Sequence, residues 1–414
     1  MAIQNYPVWT FEPNWSGGVT EMLEWLTDVM ASPDGSEQRR SLRYFPRRSM
    51  EFATAAEGDE RQLLDNMLIS FGGSTWYLPL WHEVNVLDAT AASGATFVAS
   101  DDARANSIIR AGSIVCLIGD DPYTYELAEI ESRTPTILNL VSPLVRTWPE
   151  GTRMIPVRSA ELTDQPQLQP RTSNLVTAEV RFRIMDAEQD AGGPPVIANA
   201  NFSDVYREFY VLTMEPDYSE RLDIDYERNF SEIDNSTAIP WRTDEAKRPF
   251  TARRHTWTLE GRYQHAAFAR MLQILRGRSQ PLWVPTFMDD FTPVLPIAGG
   301  GNTIVIGRCG FTAAGGPRWD REDIMIETVG GMRIYRRITG STLAGNGEII
   351  TLDRAFEDTY PVGDIVRISF IALMRLAQDS VEIDHSTDTH GVSTVSTTFR
   401  SAPDTRVPLS AFNE

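Results

Sequence analysis

The stretch richest in side chains that could do chemistry is DSVEIDHSTDTHG, Asp379 to Gly391. It sets His385 and His390 beside Asp384 and Asp388. Imidazole nitrogens and carboxylate oxygens together are what a divalent transition metal binds. The spacing does not follow the calcium-loop pattern, and Ser, Thr, Asp and Gly crowd the run. We therefore read it as a solvated loop, with no metal site and no cofactor expected. The acidic pairs Asp101-Asp102, Asp120-Asp121 and Asp289-Asp290 read as turn residues rather than an acid/base dyad. No GxSxG, P-loop, HExxH or GxGxxG pattern occurs. Two cysteines, Cys116 and Cys309, cannot build a disulfide framework and read as ordinary thiols. No catalytic residue is expected; the chain reads as a non-enzyme.

The remaining polar candidates are two arginine pairs, Arg47-Arg48 and Arg253-Arg254. Arginine forks bind carboxylates bidentately and are enriched at subunit interfaces. The chain has a single lysine, Lys247, and a net charge of -19. That balance disfavours gripping nucleic-acid phosphates.

The two pairs fall within a repeat. EQRRSLRYFPRRSMEF, a helical pattern and GGSTWYLPLW are answered by EAKRPFTARRHTWTLEG, a helical pattern and GRSQPLWVPTF. Aligned at a constant spacing of 206 residues, Arg47-Arg48 match Arg253-Arg254, and Trp81 matches Phe287. Upstream, VWTFEPNW (Val8 to Trp15) matches VLTMEPDY (Val211 to Tyr218); downstream, Pro149 and Gly151 match Pro361 and Gly363, and Phe182-Arg183 match Phe399-Arg400. A repeat of this length points to a tandem duplication.

Each copy must supply the elements that carry these residues. Leu64, Met67, Leu68 and Phe71, like Phe268, Met271, Leu272 and Leu275, recur at helical spacing and predict one short helix per copy. Met22, Trp25, Leu26 and Val29 predict a further helix over Gly17 to Met30, although the matching stretch of copy two alternates as a strand. The aromatic-proline runs WYLPLW and LWVPTF predict edge strands open to another chain. Trp81 and Phe287, with Arg47, Arg48, Arg253 and Arg254, are thus the expected subunit-interface residues. Short β runs from Gly112 to Val157 and from Asp323 to Phe370 predict a small antiparallel barrel inserted in each copy, with TAEVRFRI and VSTVSTTFR returning to the first sheet.

The expected fold is mainly β: two tandem β-sandwiches, each with a short flanking helix and an inserted barrel. The first sandwich takes residues 1–90 and 175–185, and the first barrel 91–174. A Gly/Pro/Asn-rich linker occupies 186–207. The second sandwich takes 208–300 and 390–402, the second barrel 301–389, and an extended tail 403–414. No apolar run is long enough to cross a membrane. Nor does the N-terminus read as a signal peptide, which implies folding in a cytoplasm.

The order of an acidic-arginine lead-in, an Arg-bearing strand, a short helix and an aromatic strand running into FMDDF (Phe287 to Phe291), with a closing AEVRFRI strand, resembles the distal tail proteins of long-tailed phages. The similarity is greatest to those of gene-transfer-agent type, and covers about the first 80 residues of each copy plus the final strand. It implies a virion protein forming a ring between the tail tube above and the hub, tip and tape-measure protein below, around DNA that passes without specific binding. Such proteins carry one module per chain; this chain carries two, so three chains would present six modules, against six chains in a simple hexamer. Two other readings fit the pattern, a major tail-tube protein and a carbohydrate-binding or depolymerising tip protein.

Overall fold

From Arg47 to Glu57 buried and outward residues alternate, with Met50, Phe52, Thr54 and Ala56 turned inward. This is the period of a strand with one face on a core. The computed structural model describes residues 3–32, 36–100, 109–185, 204–219, 222–237, 239–387 and 391–402, and is mainly β. The linker before 204 and the tail after 402 lie outside the described residues, as do Asp101, Asp102, Asp388 and His390. No helix among the described residues is long and apolar enough to cross a membrane.

The first half runs β1 (Val19–Glu24), β2 (Thr27–Ala31), β3 (Glu37–Ser41), β4 (Arg47–Glu57), α1 (Asp59–Phe71), β5 (Thr75–Pro79), β6 (Asn85–Val86), β7 (Phe97–Ala99), β8 (Ile114–Ile118), β9 (Tyr125–Arg133), β10 (Ile137–Leu140), β11 (Arg153–Leu162), β12 (Gln169–Pro170) and β13 (Leu175–Ile184). The second runs β14 (Val205–Tyr206), β15 (Phe209–Tyr210), β16 (Ile224–Glu227), β17 (Phe230–Ile233), β18 (Trp241–Asp244), β19 (Phe250–Leu259), α2 (Gly261–Leu275), β20 (Leu282–Pro285), β21 (Thr303–Gly307), β22 (Asp323–Thr328), β23 (Arg333–Ala344), β24 (Gly347–Leu352), β25 (Ile365–Leu376), β26 (Ser380–His385) and β27 (Ser393–Ser401).

The pairing registers of the two halves coincide. Glu24 faces Arg47 as Glu227 faces Phe250. Phe182 faces Met50 as Phe399 faces Arg253, and Leu162 faces Phe182 as Leu376 faces Phe399. Farther out, Leu138 faces Val98 as Ile350 faces Ile304. A register shift falls between Asn139 and Leu140 in one outer ladder and between Ile338 and Gly340 in its counterpart. Each half holds a large core under its helix and a smaller one between its outer strands. In the first half the outer strands follow the order β7-β10-β9-β8-β11. Leu87 and Asp88 then link the two ends, donating to Thr152 and Ala99 carbonyls.

Several expectations are corrected by these registers. Gly17 to Met30 forms no helix but β1 and β2, in which Val19 and Glu21 are buried and Thr20 and Met22 half-buried. The apolar positions that mimic a helical stripe sit on two successive strands either side of Trp25. The aromatic-proline strands are not open edges: Tyr77 exchanges hydrogen bonds with Pro7 and Trp9, and Val211 bridges Trp283 in the same parallel manner. The spacing through β4 and β19 is 203 residues, not 206. Gly58 and Gly261, at φ 58° and 72° beside the two helix starts, share that spacing, which widens only across the helix, 13 residues long in α1 and 15 in α2. Arg47-Arg48 therefore correspond to Phe250-Thr251, and the partner of Arg253 is Met50.

Candidate functional site: the junction between the halves

The halves are joined by strand pairing. β1 lies between β4 of its own half and β26 of the other, with Val19 opposite His385 and Glu24 opposite Ser380. β26 in turn pairs with β27. Its counterpart in the first half is the two-residue β12, which pairs with β13 at the corresponding place.

Where β1 meets β26, a buried polar cluster closes the seam. Glu21 lies on β1, His82 in the turn after β5, and His385 at the end of β26; all three are buried. The His385 Nε2–H donates to Glu21 Oε2 at 3.0 Å, and His82 Nε2 lies 3.7 Å from the same oxygen. The Arg48 Nε–H donates to the other carboxylate oxygen. The His82 and His385 rings stack with centroids 4.0 Å apart. His265, from α2, stands 6.0 Å beyond in the same stack, held between the Gly261 carbonyl at 2.8 Å and Ser393 Oγ at 2.5 Å. Burial alone would raise the Glu21 carboxyl; the Arg48 charge and the His385 bond outweigh it and hold it well below the usual carboxylate range. Burial, reinforced by His385, pushes His82 far down, so that it is neutral at pH 7.

Chemically, Glu21, His82 and His385 present one oxygen and two nitrogens within 4.8 Å of one another, a set that could hold a divalent ion. Arg48 already balances the carboxylate, however, so the Glu21 charge is compensated without an added cation. The cluster acts as an electrostatic lock across the seam. His385 is thus no loop residue. Its partners lie 364 and 303 positions away, and nothing in the local DSVEIDHSTDTHG pattern announces them.

A hairpin completes the junction. Trp25 follows β1 and is buried in the core of the second half, and its N–H donates to the Asp379 carbonyl at 2.9 Å. The Asp379 carboxylate accepts from Thr27 N–H at 2.9 Å, Thr27 Oγ1–H at 2.8 Å and Arg278 N–H at 2.9 Å. From β3, Arg39 donates to the Arg278 carbonyl at 3.0 Å, while Arg276 stacks on Tyr44 at 3.8 Å. Reaching the other way, Arg262 of α2 bonds Glu83 at 3.0 Å and the Val84 carbonyl.

The expected interface residues divide. Trp81 and Phe287 are core residues of their own halves, so neither is available to another chain. Arg253 is buried too, its Nη1–H donating to the Val284 carbonyl at 3.0 Å, because it occupies an inward position of β19. Arg48 is engaged in the seam. Arg47 and Arg254 are exposed; Arg254 bonds Ser396 Oγ at 2.9 Å, and Arg47 lines an open groove of about 650 Å³ with Glu24, Glu51, Arg181 and Arg183. Comparison with protein-family models and with curated proteins gives no match to this chain.

Proposed function

We propose that the protein is a structural subunit of a phage tail, a distal-tail ring protein that assembles with copies of itself head to tail. One observation carries the reading: the chain contains two modules of the same register joined through surfaces whose counterparts on the outer ends remain exposed. β1, β26 and the β2–β3 hairpin are used up inside the chain. Among the described residues, β16 and β12 each pair along one edge only, and the β17–β18 hairpin pairs with no other strand. An interface of two different surfaces repeats until it closes a ring or extends as a helix. Three chains closing in this way present six modules to a six-fold tube and a three-fold face to the tip. The resemblance of the FMDDF and AEVRFRI segments to distal tail proteins supports the same role. A net charge of -19 suits a ring through which DNA passes without being held.

The tail-tube reading shares the repeated interface but predicts many copies along the tail. Immunogold labelling of tailed particles from producing cells distinguishes them. Label confined to the junction of tube and tip is the expected result, label along the whole tail would favour the tube protein, and unlabelled tails would overturn the structural role.

A further inference from the structure

Transferring the internal junction onto the free ends, residue by residue, gives a specific contact. In the second half the hairpin corresponding to β2–β3 is β17–β18, with Phe230 facing Asp244 as Thr27 faces Ser41. Its base is closed by Glu245 N–H to the Asn229 carbonyl, as Leu42 N–H closes on Leu26. The first hairpin is docked; the second exposes Ile239 (94%), Trp241 (69%), Ile233 (60%) and Phe230 (43%) to solvent. An apolar arm of this kind is rarely left uncovered in a soluble protein. Next to it, β16 pairs only with β19 among the described residues.

The receiving surface of the second half also has a counterpart. Asp379, which anchors the first hairpin, corresponds to the exposed Asp164. The end of α2, where Leu275 shares a core with Trp25 and the following Gly277 lies against the Trp25 Cβ, corresponds to the end of α1, where Ile69 (78%) and Phe71 (42%) are exposed. The polar cluster is not repeated: Glu21, His82 and His385 correspond to Ile224, Met288 and Pro170, all exposed. Where the intrachain seam carries its Glu-His cluster, the corresponding outer positions are apolar on both sides.

Resting on the head-to-tail reading above, we propose that strand β16 and hairpin β17–β18 of one chain dock on the 164–170 segment and the end of α1 of a second copy. Ile224, Met288 and Pro170 then form a dry contact where the internal seam has its Glu-His lock, and Trp241 reaches the Ile69–Phe71 surface. Thr20 Oγ1–H donates to Asp384 at 2.8 Å in the internal seam; the corresponding pair across chains is Asp223 and Gln169, both exposed.

The test mixes two differently tagged full-length chains, Asp223→Cys and Gln169→Cys, each also carrying Cys309→Ser, under mild oxidation. A disulfide-linked heterodimer in non-reducing gels is expected, in at least tenfold excess over the homodimers of either variant. In parallel, Trp241→Ser and Asp164→Ala should each weaken self-association tenfold or more while leaving monomer thermal stability unchanged. If the chains associate but the Asp223–Gln169 bridge does not form, this contact is wrong and the ring reading stands. If wild-type chains remain monomeric at all concentrations, both fall. Unchanged association in Trp241→Ser would likewise overturn the docking of the arm.

Discussion

At the scale of single residues, the protein spends its buried charge in two ways. Glu21 is held ionised by Arg48 of its own half and bonded across the seam to His385. Removing one member of a buried pair costs about 3–5 kcal/mol, because the other is left uncompensated. Glu21→Gln is therefore expected to destabilise the protein by about 3 kcal/mol, measured by denaturant unfolding. Chelator dialysis should leave the melting temperature of wild type unchanged; a drop restored by zinc would show that the cluster needs an ion. His255 is a different case. It is wedged beside Trp257, Phe287 and Phe399, and burial, with the Arg253 charge beside it, lowers its pKa to about 3. Between pH 6.5 and 3 the unfolded chain binds a proton that the folded state does not. Stability from this residue is thus complete above 6.5 and falls as pH drops, by at most about 1.4 kcal/mol per pH unit. The stability difference between wild type and His255→Leu should slope through that window and be flat above it; a flat difference throughout would mean that His255 charges in the fold.

At the scale of elements, the β2–β3 hairpin is held by one carboxylate serving four donors from Thr27 and Arg278. Asp379→Ala leaves the Thr27 and Arg278 N–H groups without that acceptor, and unsatisfied buried donors cost about 1–3 kcal/mol each. Its expected effect is a loss of about 3 kcal/mol with early exchange of the Thr27 amide in hydrogen-exchange measurements. Protection equal to wild type would show that Trp25 alone holds the hairpin. Much of this level was legible in the sequence. The α2 stripe, the outer strands β22 and β24, and the return of β13 beside β4 all follow from periodicity and turn residues. What was not legible is instructive. Gly17 to Met30 mimics a helix because two strands flank a turn at Trp25, and only Glu21, an acidic residue on a buried face, hints at a partner. The arginine pairs align in sequence because identical dipeptides outweigh a three-residue shift; the strand register, fixed by Phe182 and Phe399, does not respect the match. Nor could local spacing have linked His385 to Glu21 and His82, since strand pairing between halves sets that contact.

At the scale of the whole molecule, two halves with matching strand registers change what the proposed ring subunit can do. Two separate identical modules would meet through identical contacts. In the proposed assembly the inner contact carries Glu21, His82, His385 and a buried Trp25, while the outer one would bring together Ile224, Met288, Pro170 and the exposed Trp241. The inner contact is permanent by covalent linkage and needs no control over when it forms. In that assembly the outer one would form only when chains meet, its exposed apolar side chains supplying the driving force for that step. Closure, rather than indefinite extension, distinguishes the proposed ring from a filament. It is tested most directly by native mass spectrometry of the purified protein. A single closed species of three chains, three times 46.5 kDa, is expected; a hexamer of twelve modules, an open-ended size series or a persistent monomer would overturn the closed trimer.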